Sequence, residues 1–280
     1  HAAMKSQKAT DQSTGLWFAS DPSKRWTEIF FLAWSVVWIL TFGTVVATKV
    51  YETFGDFEYM ALGLFVALPH AIIPLLFPAE ADKNIPLLDR YWVKANIWIG
   101  IFGFVGNYLW THYFYKVLHA TYAFPITIEL NRVPLCLYFV THAYFSFYHT
   151  VTTIALRRFW TSATMKSVSP LVWWILSIVV VFLMSYFTAF MEAFTIASVP
   201  YYVIRDRTLM YVIGSAFYGI YFYVSFPMYY RIQERKGDQW NISRCVIDAL
   251  AATMLVTLLL DFWRLIIGGL FDDAHTDSPP

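Results

Sequence analysis

Long, nearly uncharged stretches of apolar residues alternate with short polar connections along most of this chain. Each stretch approaches or exceeds the roughly 18 to 20 residues that a helix needs to cross the hydrocarbon core of a bilayer. The predicted fold class is therefore an all-α integral membrane protein, a bundle of about seven transmembrane helices with short loops. The predicted spans are residues 28–48, 59–78, 92–115, 133–155, 171–197, 209–230 and 245–267.

The two ends of the chain differ from its middle. Residues 1–27 are polar and form a predicted cytosolic segment, whose first residues resemble a cloning remnant. Residues 28–270 form a single predicted transmembrane domain, and residues 271–280 form a short acidic tail. Lysine and arginine are more than twice as numerous on the side of the N-terminus as on the other side of the predicted bundle. The positive-inside rule therefore predicts a cytosolic N-terminus and a tail on the opposite side.

Composition agrees with a membrane protein. Of the 280 residues, 58% are hydrophobic and 14% are charged, whereas about a quarter of a soluble domain is charged. The net charge of +1 gives no reason to expect a nucleic-acid partner. Cys136 and Cys245 lie at opposite faces of the predicted bundle, so we expect no disulfide between them. The sequence does not predict an oligomeric state.

The third predicted span combines a bare helix face with polar side chains. Gly100, Gly103 and Gly106 are spaced three residues apart and leave one face nearly free of side chains. Such a face suits either a closely packed neighbouring helix or a flat, rigid lipid that rests on it. Polar and aromatic residues follow near the end of the same span, namely Asn107, Tyr108, Thr111, His112 and Tyr113.

The fourth predicted span carries a polar stripe. His142, Ser146, His149 and Thr153 recur at intervals of four, three and four residues, which places them on one helix face. Polar side chains at membrane depth face the interior of a bundle, where they either join helices by hydrogen bonds or serve a function. Two histidines on one stripe favour a polar cavity inside the bundle.

Two carboxyl groups lie within predicted spans. Asp261 and Arg264 are three residues apart on the seventh span, and we expect an ion pair between them. Glu192 follows a long apolar segment and has no cation nearby on its own helix. Such a group either finds a basic partner on another helix or stays protonated, because burial disfavours the charged form. In the predicted topology Asn107, His112, Glu192 and Asp261 share the non-cytosolic half of the bilayer.

Several functional classes lack their sequence signatures. Paired histidine boxes of a di-iron oxidase are absent, and the seventh span has no lysine that could hold retinal. The chain also lacks a glycine-rich phosphate loop, a zinc-protease HExxH motif and a Gly-x-Ser-x-Gly elbow. The two halves show no matching interrupted helices of the kind that mark transporter sites. What remains is acid–base chemistry or binding, with a molecule that lives in lipid.

Several long and unusual segments carry a family resemblance. They include Asp89-Arg-Tyr-Trp-Val-Lys-Ala-Asn96, Val105-Gly-Asn-Tyr108, Trp110-Thr-His-Tyr-Phe114, Phe147-Tyr-His149, Ser185-Tyr-Phe187 with Glu192, Ser225-Phe-Pro-Met228 and Trp263-Arg-Leu265. On these segments the chain resembles the cycloeucalenol cycloisomerase family, the cyclopropyl-sterol isomerases of plant and algal sterol synthesis. The resemblance extends from about residue 16 to residue 270.

The resemblance implies a redox-neutral reaction on a 4α-methyl cyclopropyl sterol. The 9β,19-cyclopropane ring of cycloeucalenol would open to give obtusifoliol, without a metal or an organic cofactor. It also implies a multi-pass protein of the endoplasmic reticulum membrane, whose partners are the sterol and the membrane lipids. The competing class is a non-catalytic sterol- or lipid-binding receptor, or a lipid transporter, in which the polar residues only hold helices together.

Ring opening by protonation requires a neutral acid in a water-free site, and then a base that removes the proton from carbon 8. We predict Glu192 as the proton donor and His142 or His149 as the acceptor, while His112 would orient the acid or bind the sterol hydroxyl. Aromatic faces would stabilise the buried cation between the two steps. The predicted substrate-binding residues are Asn107, Tyr108, Gly103, Gly106, Tyr113, Ser146 and Asp261.

Overall fold

The computed structural model describes residues 16–197 and 199–268, so the first 15 residues and the predicted tail at 271–280 lie outside the described residues. The longer helices are α1 (Pro22–Ala47), α2 (Asp56–Ala67), α3 (Pro69–Leu76), α4 (Tyr91–Val105), α5 (Leu135–Trp160), α6 (Pro170–Ile196), α7 (Ser215–Tyr230) and α8 (Ile242–Ile266). Short helices are Val50–Thr53, Glu80–Asp82, Leu87–Asp89, Thr111–Tyr113, Ala163–Ser167 and Arg207–Leu209, and π-helical turns are Gly106–Trp110, Phe114–Leu118 and Met210–Gly214.

The long helices begin where the local sequence caps them. The side chains of Asp21, Ser169 and Asn241 each accept a hydrogen bond from the backbone N–H three residues later, at the starts of α1, α6 and α8. Such caps satisfy backbone donors that have no partner inside the helix. Proline at the first helical position, Pro22 or Pro170, fits because that position needs no N–H donor. Helix α1 consequently begins inside the segment 1–27, which was predicted as polar and cytosolic.

Within the described ranges, four helices are long and apolar enough to cross a membrane: α1, α6, Arg207–Tyr230 and α8. Helices α2 and α3 form a fifth if they count as one span, bent by 48° where Pro69 begins α3. The structure thus supports a helical membrane protein with four or five apolar spans, against the seven predicted. Helix α4 is not among them; it has 15 residues before its first π-helical turn. Helix α5 is long enough but more polar.

Helix α5 lies in the middle of the bundle and packs against α1, α2, α4 and α7, while α6 packs mainly along α7. The contact with α2 depends on Gly63, where a Cβ atom would lie 2.9 Å from the carbonyl oxygen of Cys136. The main core is rich in aromatic side chains, including Trp98, Phe102 and Phe222. This central position gives α5 more than one buried face.

One end of the bundle gathers the N-terminal segment and the connections that follow α3, α5 and α7. Here the Lys24 side chain donates a hydrogen bond to the carbonyl oxygen of Ile232 (2.6 Å), and Ser23 accepts one from the backbone N–H of Tyr91 (3.1 Å). Arg157, at the end of α5, reaches the same region. We name this the ionic end.

A buried ionic cluster joins the elements of the ionic end. Arg157 forms ion pairs with Glu28 (2.5 Å) and Glu234 (2.6 Å), and Lys24 pairs with Glu234 (2.8 Å). The side chains of Arg157 and Lys24 are almost fully buried, and two positive charges face two negative charges. Burial opposes the ionisation of Glu234, but Arg157 and Lys24 keep the pKa of this carboxyl below its usual value.

The opposite end, named the strand end, gathers the connections that follow α1, α4 and α6. Strand β1 (Ala120–Tyr122) pairs antiparallel with β4 (Tyr202–Ile204). A second pair, β2 (Glu129–Leu130) with β3 (Val133–Pro134), forms a hairpin just before α5. The carboxylate of Asp56 accepts a hydrogen bond from the backbone N–H of Thr127 (2.7 Å), which ties α2 to this hairpin. Successive long connections therefore lie at alternate ends of the bundle.

Candidate active site

A cavity of about 590 Å³ lies in the half of the bundle near the strand end. Helices α1, α5 and α6 form its walls, residues after α4 and from α7 complete them, and β1 and β4 cover one end. Its lining is mostly apolar and aromatic, as in most sites for small molecules. The aromatic side chains in contact with it include Trp38, Phe42, Phe114, Tyr122, Tyr144, Phe145, Tyr148, Tyr202, Tyr218 and Tyr221.

Glu192 carries the one carboxyl group among the described residues that line this cavity, and no lysine or arginine is among them. The hydroxyl groups of Tyr148 and Tyr218 lie near its carboxyl group and interact with it. The Oε2 atom is buried and has no hydrogen-bond partner among the described residues. Arg264, a potential cation partner, instead pairs with Asp261 at 2.7 Å. The cavity therefore holds one carboxyl group between two tyrosines, with one oxygen free to meet a ligand.

Two other predicted site residues also line the cavity. The side-chain amide of Asn107 donates a hydrogen bond to the carbonyl oxygen of Gly103 at 2.9 Å, so its own oxygen remains able to accept one. Gly106 contributes its backbone, and a Cβ atom there would lie 3.2 Å from the ring of Trp110. Asn107 and Gly106 sit in the first π-helical turn after α4, which turns them toward the cavity.

The predicted proton acceptor His149 lies outside the cavity lining. It is buried with Nδ1 2.7 Å from the carbonyl oxygen of Phe145 and Nε2 2.9 Å from the hydroxyl of Ser225. The polar stripe of α5 faces α4 and α7 at this point; Nε2 of His149 joins α5 to α7, while Nδ1 makes a hydrogen bond within α5. The position of His149 therefore corrects the expectation that it contacts the sterol.

The part of the same stripe nearer the strand end, with His142 and Ser146, also lies outside the cavity lining. Nε2 of His142 lies 2.8 Å from the side-chain oxygen of Asn96 on α4, and the ring of His70 packs against it. Ser146 donates its hydroxyl hydrogen bond to the carbonyl oxygen of His142 at 2.7 Å. Neither His142 nor Ser146 contributes to the described lining. The stripe is an interhelical contact, which was the alternative that the sequence left open.

The remaining predicted residues of the third span also lie away from the cavity. Gly103 packs against Thr141 of α5, where a Cβ atom would be 3.4 Å from that side chain, so this glycine serves close helix packing. Tyr108 stacks on Phe104 and is 37% exposed. His112 packs against a tyrosine ring, and its buried Nε2 has no partner among the described residues.

Asp261 and Tyr113 form a separate polar group on the far side of α7. The predicted ion pair of Asp261 with Arg264 is confirmed, and the Tyr113 hydroxyl lies 3.4 Å from the same carboxylate. None of these three side chains lines the cavity in the part of the chain that the structure describes. Their polar atoms bind one another through an ion pair and a hydrogen bond, so we interpret these three residues as a structural group.

The tyrosines around Glu192 were not singled out from the sequence. Tyr144 and Tyr148 are four residues apart on α5, and Tyr218 and Tyr221 are three apart on α7. Each pair therefore lies on one helix face. This spacing was the signal that could have revealed them, since each hydroxyl needs a partner inside an apolar bundle.

A second hollow, of about 520 Å³, lies between α6, α7 and α8 on the outside of the bundle. Its described lining is apolar apart from Ser185 and a few aromatic polar atoms, and it contains no charged side chain. This hollow offers a surface for lipid but no group for acid–base chemistry. The cavity around Glu192 is therefore the candidate site.

Comparison with known proteins finds a close relative. The chain is 48% identical over 262 residues to Cycloeucalenol cycloisomerase from Arabidopsis thaliana, and the similarity covers 91% of each chain. No family model matches the chain, and no solved structure matches it. The similarity to this relative spans nearly the whole length of both proteins and so includes most of the bundle.

Proposed function

The chain belongs to the cycloeucalenol cycloisomerase family, and on this basis we propose that it isomerises cycloeucalenol, a 4α-methyl sterol, to obtusifoliol. The observation that supports this function most directly is the single carboxyl group in an apolar, aromatic cavity. A sterol nucleus is flat and apolar, so such a lining suits it. Protonation of a carbon atom requires an acid from which water is excluded.

Glu192 is the proposed proton donor. Its carboxylic acid protonates carbon 19, the bond between carbons 9 and 19 breaks, and its electron pair forms the new carbon–hydrogen bond. Positive charge then develops at carbon 9. No cation pairs with Glu192 among the described residues, and an isolated carboxyl group in an apolar environment favours its neutral form. Tyr148 and Tyr218 hold the carboxyl group in position.

Aromatic side chains are proposed to stabilise the cation. Tyr144, Phe145 and Tyr221 line the cavity beside the two tyrosines that contact Glu192. The face of an aromatic ring attracts a desolvated cation by roughly 1–2 kcal/mol. Several such rings, together with the Glu192 carboxylate that the first proton transfer leaves, lower the barrier to ring opening. Asn107 is the proposed partner of the sterol hydroxyl, because its side-chain oxygen is able to accept a hydrogen bond.

We assign the second proton transfer to the same carboxyl group. The Glu192 carboxylate formed in the first step takes the proton from carbon 8, and that bond's electrons form the double bond between carbons 8 and 9. Glu192 is thereby returned to its starting form. This replaces the predicted roles of His142 and His149, since no histidine or second carboxylate is among the described lining residues.

We also propose seven spans, a cytosolic N-terminus and a location in the endoplasmic reticulum membrane. Support comes from the long connections, which alternate between the ionic end and the strand end. Helix α4 with its π-helical turns continues to Leu118, and α5 has 26 residues, so both are long enough to span. Residues 28–270 would form one transmembrane domain between the polar segment 1–27 and the tail 271–280.

Incubation of the purified protein with cycloeucalenol in heavy water tests the function. We expect obtusifoliol with one solvent deuterium in the new methyl group on the first turnover, without an added cofactor. A sterol receptor or a lipid transporter would return the sterol unchanged, and that result would contradict the proposed function.

A labelled substrate tests the shared carboxyl group. Cycloeucalenol with deuterium at carbon 8 is supplied at saturating concentration in ordinary water. Because the group that accepts one proton donates it to the next substrate, part of the label should appear in the carbon 19 methyl group of later product molecules. Complete loss of the label to water would argue for a separate acceptor.

A further inference from the structure

The cavity reaches the outer surface of the bundle between α1 and α6. Ile39 and Met191 line the cavity, yet they are also 42% and 38% exposed. Gly43, Val46 and Thr195 line it between them, and Gly43 is also exposed. We name these five residues the side opening. From Ile39 to Val46 the opening extends about 10 Å along α1, at the rise of an α-helix.

Aromatic contacts close the cavity above and below the side opening. Toward the ionic end, the ring of Trp38 on α1 meets that of Phe147 on α5 at 6.0 Å. Toward the strand end, the rings of Tyr51 and Tyr201 meet at 5.8 Å. Helix α5 forms the back wall. The opening is therefore a bounded window in the side of the bundle.

The side opening faces the region that lipid occupies around a membrane protein. On α1, Val36 and Leu40 are 58% and 66% exposed, and on α6, Phe187 and Phe194 are 63% and 55% exposed. Both helices are long and apolar enough to span a membrane, so these exposed apolar side chains suit contact with lipid tails. At the strand end, the hydrogen-bonded pair of β1 and β4 covers the cavity instead.

We propose that the cyclopropyl sterol enters the cavity sideways from the bilayer through the side opening, and that the product leaves the same way. The identity of the sterol rests on the proposed function. A sterol dissolved in lipid that moved through water would expose its whole apolar surface, at roughly 25 cal/mol per Å². Lateral passage avoids this cost.

Gly43 keeps the side opening wide. A Cβ atom built at this position meets no other atom within 4 Å. A large side chain at residue 43 would therefore occupy the opening without a clash inside the protein. A substitution of Gly43 should therefore slow the access of a sterol to the cavity without disturbing the fold.

The experiment measures how fast the full-length protein, reconstituted in lipid vesicles, takes up radiolabelled cycloeucalenol from its own bilayer. Gly43→Trp should slow this uptake about tenfold, in line with the range over which association rates vary among related variants. The amount bound at equilibrium, counted as substrate plus product, should match the wild type. Leu40→Trp is the matched control, because Leu40 is exposed on the same helix outside the cavity lining, and it should keep the wild-type rate.

If Gly43→Trp lowers the thermal midpoint, Met191→Trp narrows the opening from α6 and should slow uptake in the same way. Uptake at the wild-type rate in the folded variants would contradict entry through the side opening. A lower amount of bound sterol with an unchanged uptake rate would contradict it as well. The same samples separate this inference from the proposed function. A wild-type protein that takes up the sterol and leaves it unconverted contradicts the isomerase, while its uptake rates still test the opening.

Discussion

Two regions of this bundle hold carboxyl groups in different surroundings. At the ionic end, Glu28 and Glu234 contact Arg157 at 2.5 and 2.6 Å, and four buried charges balance. In the cavity, Glu192 contacts Tyr148 and Tyr218 and has no cation among the described residues. A buried charge needs a partner of opposite sign, whereas a neutral acid needs only hydrogen bonds.

The difference separates a structural role from a chemical one. The carboxylates of Glu28 and Glu234 pair with Arg157 and so join the N-terminal segment, α1, α5 and the connection before α8. A carboxylate in such an ion pair carries no proton that it could donate to a substrate. The carboxyl group of Glu192 lines a largely apolar cavity, and one of its oxygens has no hydrogen-bond partner among the described residues. We therefore expect substitutions in the two regions to have opposite effects on turnover and on stability.

The largest effect should follow Glu192→Gln. Glutamine keeps the size of the side chain and can still form hydrogen bonds, but its amide is not an acid that could protonate carbon 19. The rate of isomerisation should therefore fall by about 10³-fold, within the range of acid–base catalysis. The protein should fold normally and still bind the sterol. Turnover is measured as obtusifoliol formed from cycloeucalenol, and folding as the thermal midpoint.

Asp261→Asn is the matched control for this substitution. Asp261 is the other carboxyl group that was predicted for the site, but it pairs with Arg264 outside the cavity lining. This variant should keep most of its turnover. Near-normal turnover of Glu192→Gln, or an equal loss in both variants, would contradict the role of Glu192.

A large loss of stability should follow Arg157→Met. Removing the cation leaves Glu28 and Glu234 buried with Lys24 as their remaining partner, which costs roughly 3–5 kcal/mol of unfolding free energy. Turnover per folded molecule should be unchanged, because the cluster lies at the end away from the cavity. Arg244→Met removes an exposed pair with Asp238 and should cost less than about 1 kcal/mol. Equal losses in the two variants would show that the cluster does not stabilise the bundle.

The sequence predicted a helical membrane protein correctly, but it did not predict the number of apolar spans or the ends of the helices as the structure has them. Hydropathy placed the first span at 28–48, whereas α1 is Pro22–Ala47. The difference arises because Lys24 reads as a polar residue outside a membrane and Glu28 as the edge of the span, while the structure buries both in the ionic cluster. A buried charge on one helix is visible from sequence only if its partners, here on α5 and in a later connection, are known.

The candidate site shows the same limit. Glu192 was identified because a single carboxyl group in a long apolar segment stands out in any hydropathy pattern. The stripe with His142 and His149 was correctly predicted to face the interior, but α5 is buried on several faces. Periodicity defines a face of the helix but does not say which neighbour that face meets. Tyr144 and Tyr148, on an adjacent face, line the cavity instead.

The smallest predicted effect is the pH dependence of the stability that the ionic end provides. The pKa of Glu234 is lowered in the folded protein by Arg157 and Lys24, against the effect of burial. A group with a lowered folded-state pKa stabilises the protein above its unfolded pKa, about 4.3 for glutamate, and this stabilisation is lost as pH falls through the folded value. The difference in thermal midpoint between wild type and Glu234→Gln should therefore be constant near neutral pH and narrow below about pH 4.

Glu80→Gln provides the comparison for this pH dependence, because its pair with Lys83 is exposed and the side chain of Glu80 is 86% accessible. An exposed pair contributes little to stability at any pH, so this variant should follow the wild-type midpoint throughout the titration. A Glu234→Gln difference that stays constant down to the lowest pH would mean that the Glu234 carboxylate does not stabilise the ionic end. The contrast with the uncharged surroundings of Glu192 would then rest on Glu28 and Arg157 alone.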